Sequence, residues 1–365
     1  MGFGYLGPAN EQPRCLRLLT AVVILSLAVI VNASAPAADI LAVSKPPISL
    51  LPTDPPQGLV YRATSDLSSA EVFFAAEGGP VDLVYIVLDA EGNGYLTFDD
   101  GPDEDAPGGV MIVEDLLTKR DEGFDAARDR LITGSQVSLT EPKDLFLVED
   151  LGLLVVADFV GANIKVFDTL AAGNVAPLFA TDRLGADAQG EPRRPWGLAY
   201  DEVSDRLFVG ATDGALLVYD AFLASQGENG PSRVVTPTWQ GDPISYNLHE
   251  LIYQPLTDRI IVTDVGAATT SDQPGFDTDG ALLVIENASS ASGQTPVALR
   301  IAGQNTLLGN PVSLVQQGDS IFVAENSLDL LLRFDGLLEQ RGALDPSPDA
   351  VISLVKPESL ILLPR

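Results

Sequence analysis

Lys143, Trp196, His249 and Glu358 are the side chains of this sequence best suited to binding or proton transfer, and they share one position. Each directly follows a Pro or Leu that opens a recurring phrase. The phrases read Pro80-Val81-Asp82-Leu83, Pro142-Lys143-Asp144-Leu145, Pro195-Trp196-Gly197-Leu198, Leu248-His249-Glu250-Leu251, Pro311-Val312-Ser313-Leu314 and Pro357-Glu358-Ser359-Leu360. An ammonium, an indole, an imidazole and a carboxyl alternating with the apolar Val81 and Val312 are the mixture a small-molecule pocket needs. Arg194, Tyr246, Asn247 and Asn310 lie beside this ring in sequence. His249 is the only histidine, hence the only side chain with an unperturbed pKa near neutrality. One histidine rules out multi-histidine zinc sites and histidine dyads, and no Gly-x-Ser-x-Gly elbow offers a serine nucleophile. Glu250 follows His249, and the alternation of a strand sends it to the other face. No residue is marked as catalytic by type or spacing.

Hard oxygen ligands are abundant, which makes calcium the metal to consider. Asp89, Glu91, Asn93, Gly94 and Asp100 fall at the first, third, fifth, sixth and twelfth places of a calcium loop. Asn93-Gly94 is equally a favoured hairpin turn, which would make the same residues a plain strand connection. Asp272, Asp277 and Asp279 lie in a long loop from Gly266 to Gly280, and Asp99, Asp100, Asp103, Glu104 and Asp105 lie in the loop before Gly108. These loops read as calcium-binding lids over a channel mouth or as solvated acidic insertions. Asp54, Asp99, Asp158, Asp264 and Glu325 each end an apolar run; they recur too regularly to form one site, and turn capping is their expected role.

The elements that must position these residues are short strands. The phrases recur with a mean period of roughly 55 residues, the scale of a propeller blade. After each phrase come a second run such as Leu154-Val155-Val156-Ala157-Asp158, a third such as Ile164-Lys165-Val166-Phe167-Asp168, and a fourth such as Val234 to Trp239. Runs of β-branched and aromatic residues separated by Gly, Asp and Asn predict four-stranded antiparallel sheets. The last phrase has no strands after it, and the missing three are expected at the other end: Ile48 to Asp54, Leu59 to Arg62 and Glu71 to Phe74. The fold class is therefore all-β, a six-bladed β-propeller over 48–365, its last blade closed by N-terminal strands plus the C-terminal strand. Helix is expected only between Glu114 and Arg130.

Arg14 and Arg17, the apolar run Leu18 to Val31 and the small residues Ala33 to Ala38 have the layout of a secretory signal peptide over 1–38, cleaved near Ala37 or Ala38, with 39–47 as a short lead. Retention of this segment as a membrane anchor is the other reading. Export implies a secreted or periplasmic protein. Cys15 is the only cysteine and lies in the leader, so the mature chain has neither a disulfide nor a thiolate ligand. Loss of Glu11, Arg14 and Arg17 takes the formal charge from −30 to −31. Such a surface repels phosphate backbones, so nucleic acid is not an expected partner; nor is a membrane after cleavage, and a monomer is expected. With 46% hydrophobic and 20% charged residues the composition is that of a folded domain.

Asp89-Ala90-Glu91-Gly92-Asn93-Gly94-Tyr95-Leu96, Val155-Val156-Ala157-Asp158 and Asn163-Ile164-Lys165-Val166-Phe167-Asp168 resemble the NHL-repeat pattern, and Gly197-Leu198-Ala199-Tyr200-Asp201 resembles the opening of a blade in gluconolactonase-like propellers. The resemblance implies a six-bladed propeller whose relatives are enzymes or binding scaffolds. It also implies a channel metal held by a Glu, an Asn and an Asp. The Asn placed after the opening proline is Trp196-Gly197 here, and Glu358, Asn310 and Asp264 are the residues of matching type. The expectation is an exported binding or scaffold module that takes a small molecule or protein at the channel mouth through Lys143, Arg194, Trp196, His249, Asn310 and Glu358. The alternatives are a calcium-dependent lactonase or esterase and a purely structural envelope protein.

Overall fold

The computed structural model describes residues 37–45, 58–99, 108–118, 123–181, 184–268, 270 and 272–364. Six antiparallel sheets are arranged as the blades of a β-propeller, and in blades 1 to 5 the chain runs outward from the innermost strand. The innermost strands are Leu83–Leu88, Pro142–Val148, Pro195–Asp201, Leu248–Gln254, Pro311–Gln317 and Pro357–Leu362. The core is divided in the same way. Six apolar clusters each join two consecutive blades, because alternate residues of one strand face opposite neighbours: Leu154 and Val156 pack towards blade 1, Val155 and Ala157 towards blade 3.

Blade 6 takes its innermost strand from the C-terminus and three strands from the N-terminal side, as expected, but the first of these three, second in the blade, is Ile40–Ser44. Ile40 pairs with Leu362 on one side and Ala63 on the other. The propeller thus begins at residue 40, inside the stretch expected to be a lead, and Ile48 to Asp54 lies outside the described residues. Ser44 pairs with Pro357 as Asp158 pairs with Pro142, so a hydroxyl fills the place sought for Asp54. Its Oγ donates to the Val355 carbonyl oxygen.

Blade 1 carries a second correction. Leu83 pairs with Phe98 and Ile86 with Leu96, as Pro142 pairs with Asp158 and Leu145 with Val156. Val84-Tyr85 therefore corresponds to Lys143-Asp144, and Val81 precedes the ring by three residues. Between Glu114 and Arg130 the described residues hold one 3-10 turn, Leu116–Thr118; a one-turn α-helix lies instead at Phe222–Ser225.

Three outer edges are strapped by the following blade. Gly293–Pro296 pairs in parallel with the outer strand Arg233–Trp239, Gly342–Leu344 does the same to Leu299–Ala302, and Gly173 bridges to Ile132. Covered edges leave fewer free backbone groups to template association.

Candidate functional site

Every innermost strand changes register near its start. Pro142 pairs with Asp158 but Leu145 with Val156, so Lys143 and Asp144 stand opposite a single residue; the same shift sets apart Trp196-Gly197 and His249-Glu250. A bulge of this kind cancels strand alternation. Both residues of a pair can then serve the channel, and they form two layers.

The upper layer is the mouth. Trp196 and His249, from adjacent blades, stack with ring centroids 3.7 Å apart and planes 11° from parallel. Lys143 Nζ lies 4.9 Å from the Trp196 ring centroid, and Phe159 meets the indole edge-on at 5.6 Å. The exposed Arg194 guanidinium caps Phe159 at 5.1 Å. Lys143 is buried and ion-paired with Asp99, with Glu141 at 3.8 Å. Asp99 is also 3.9 Å from Lys45, which lies 3.9 Å from Glu358 and 3.6 Å from Asp82. Asn326 Nδ2 donates to Glu358 at 2.9 Å. Five of the six candidate residues thus join one network through their side chains; Asn310 joins through its backbone, its N–H held by Glu325 at 2.7 Å and its carbonyl oxygen accepting the Asn326 N–H at 3.0 Å.

Burial pushes the Asp99 carboxyl up, but the Lys143 and Lys45 charges outweigh it and its pKa falls. Burial raises Glu358 despite the same lysines. His249, at 4% exposure, is driven well below its usual value by burial and then by Lys143, so the imidazole is neutral. Among the described residues neither of its ring nitrogens has a hydrogen-bond partner, and neither does Asp99 Oδ1.

The lower layer is Tyr85, Asp144, Gly197, Glu250, Ser313 and Ser359. Asp144 and Glu250 are 2% and 4% exposed. Asp144 Oδ2 accepts the Leu198 N–H of the next blade at 2.5 Å, and Glu250 Oε1 accepts the Leu251 N–H at 3.1 Å. The Tyr85 hydroxyl hydrogen-bonds to both carboxyls. Burial raises both groups, Asp144 further through the Glu250 charge, and Glu250 is pushed up to about 8. Gly197 separates them in sequence order around the ring, and a Cβ there would meet the His249 carbonyl oxygen at 2.1 Å. Alternation concealed this layer in the sequence. The available signal is two acids in a buried strand at a position that is otherwise Gly, Ser or Tyr.

The calcium candidates are used differently. Asp89 Oδ1 accepts the Asn93 N–H at 2.8 Å, Oδ2 accepts Asn93 Nδ2 at 2.7 Å, and Asn93 Oδ1 accepts the Asp115 N–H at 2.8 Å. These bonds build a hairpin turn; Asp100 lies outside the described residues. Asp279 Oδ2 accepts the Ala267 and Ala268 N–H groups at 2.9 and 2.8 Å, while Asp272 is solvent-exposed. Among the described residues no group of three His, Cys, Asp or Glu side chains is arranged around a metal position. Glu358, Asn310 and Asp264 do not fit the implied channel metal. Asp264 accepts the N–H groups of Tyr246, Asn247 and Gly266, each at 3.0 Å, and Glu358 faces the Lys45 ammonium. Asp158 and Glu325 clamp backbone N–H groups in the same way.

No family model and no curated protein matches the chain. Solved structures share its fold. A chain of a nidogen–laminin complex aligns with TM-score 0.55 and 11% identity, over 88% of this chain and 97% of the other. A periplasmic gluconolactonase of Pseudomonas aeruginosa aligns at 0.53 and 15%, over 90% and 99%. A protein from Lactobacillus plantarum aligns at 0.53 and 12%, over 90% and 100%. At these identities the likeness establishes the propeller and leaves activity to the site itself.

Proposed function

We propose that the protein is an exported binding module whose channel mouth takes a small polar molecule, neutral or cationic, with an apolar face. The observation that carries this reading is His249: a neutral imidazole, almost wholly buried, stacked on Trp196, with both nitrogens unpartnered. Unsatisfied buried polar atoms are rare and call for a partner. One nitrogen donates and the other accepts, and Asp99 Oδ1 beside Lys143 is a further acceptor. A molecule bearing hydroxyl or amino groups satisfies these atoms, while its apolar face rests on the exposed part of the indole. The formal charge of −30 disfavours an anion. Export rests on the leader, and cleavage near Ala37 or Ala38 spares Ile40–Ser44.

The test is Trp196 fluorescence and thermal unfolding against neutral sugars and polyols, amines and amino acids, with sugar acids as the anionic contrast. A ligand that changes the emission and raises Tm in the wild type, and does neither in His249→Ala, supports the reading. Ligand-induced stabilisation that persists in both His249→Ala and Trp196→Ala would move the site elsewhere. Turnover of lactones or esters, abolished in the same variants, would replace a binding role with a hydrolytic one.

A further inference from the structure

We propose that the lower layer of the channel is a site for a divalent cation of the calcium class, held by the carboxylates of Asp144 and Glu250 and the hydroxyl oxygens of Tyr85, Ser313 and Ser359. It is separate from the mouth and from the acidic turns singled out in the sequence.

The first argument is charge. Neither Asp144 nor Glu250 makes an ion pair among the described residues, although both are buried. The lysine nearest in sequence, Lys143, is engaged by Asp99 in the layer above. Two buried carboxylates without a counter-charge are costly. Backbone N–H groups of Leu198 and Leu251 each serve one oxygen. The remaining contacts come from neutral hydroxyls, Tyr85 towards both carboxyls and Ser313 at 3.5 Å to Glu250 Oε2, and bring no charge. One more positive charge, or two, is needed.

The second argument is independent of the acids. Ser359 is fully buried and its Oγ has no hydrogen-bond partner among the described residues. It occupies in blade 6 the register place that Ser313, Glu250 and Asp144 occupy in blades 5, 4 and 2. Its neighbour Leu360 donates to Ser313 Oγ at 3.1 Å, and Ser313 Oγ lies 3.5 Å from Glu250 Oε2. The orphaned hydroxyl therefore belongs to the layer that holds the acids. Gly197 leaves the sector between Asp144 and Glu250 free of a side chain. Oxygen donors from five blades, with no nitrogen or sulfur among them, match a hard cation that takes 6–8 oxygens. A divalent ion neutralises the two carboxylates, whereas a proton neutralises one and leaves Ser359 unused.

The experiment is calorimetric titration of the chelator-treated mature chain with calcium chloride, with magnesium chloride as the contrast, alongside thermal unfolding. The expected result is one calcium per chain and a raised Tm, with binding abolished in Glu250→Gln and in Asp144→Asn. Ser359→Ala removes no charge, keeps the fold testable if either acid variant fails to fold, and is expected to bind about tenfold more weakly or worse. No calcium heat and no Tm shift in the wild type would overturn the proposal and leave the pair to a shared proton. So would calcium binding unchanged in Ser359→Ala, or retained in both acid variants. None of these outcomes depends on whether the mouth binds a small molecule.

Discussion

Trp196 and His249 come from neighbouring blades and lie face to face, with centroids 3.7 Å apart. The contact joins blades 3 and 4 at the mouth, where burial and then the Lys143 charge keep the imidazole neutral. Stacked aromatic pairs contribute about 0.5–1.5 kcal/mol beyond their buried area. In a Trp239→Phe background, where Trp196 is the sole indole, His249→Ala is expected to shift the emission to longer wavelength and to lower stability by at least that amount. An unchanged spectrum would mean that the two rings do not meet in solution.

Lys165 and Asp158 form an ion pair within blade 2, with 4% and 0% exposure, and Lys165 Nζ also donates to the Ser138 carbonyl oxygen at 2.9 Å. Breaking a buried pair from one side leaves a charge without compensation. Lys165→Met should cost about 3–5 kcal/mol in urea unfolding. Adding Asp158→Asn should recover part of that loss, and a double variant no better than the single one would argue against the pairing.

Gly197 is where the innermost strand of blade 3 comes nearest to that of blade 4. A methyl group there would sit 2.1 Å from the His249 carbonyl oxygen and 2.9 Å from the Glu250 Cα. Both are backbone atoms that no rotamer change can move. Gly197→Ala is expected to destabilise by roughly 1–3 kcal/mol, the cost of overpacking. Equal denaturation midpoints for variant and wild type would refute the close approach.

Asp264 provides a pH dependence with a definite sign. Burial raises its pKa from 3.8 to about 6, against three backbone N–H groups that lower it. The folded chain holds this proton to higher pH than the unfolded chain. Its contribution is therefore full below about pH 4 and is lost as pH rises through about 6. A shift of about two units corresponds to roughly 3 kcal/mol. The stability difference between wild type and Asp264→Asn, measured from pH 4 to 7, should fall by that order as pH rises, and a flat difference would contradict the shift.

Much of this was readable in the sequence because opening residues such as Pro142, Pro195 and Pro311 start buried strands, and apolar runs mark the others. Reading failed where a different atom performs the same task. An acid expected at the end of the second strand points to Asp54, whereas Ser44 occupies that position with a hydroxyl. Pro80 points to a start of blade 1 three residues early, because the strand there begins at Leu83, without a proline. The lower channel layer was lost to a bulge. His249 and Glu250 alternate in sequence, and only a register change that no residue type announces brings both to the channel.

The pairing of Ile40 with Leu362 ties the first strand of the ring to the last. A chain made or exported from its N-terminus must carry Ile40–Ser44 and its two companion strands as an unfinished sheet until Pro357–Leu362 emerges. Closing so long a loop is slow, and it comes last. Completion of the ring is therefore also a check on completeness: a product cut short before Pro357 has no strand to close with, and is left with an open edge that quality-control proteases can find.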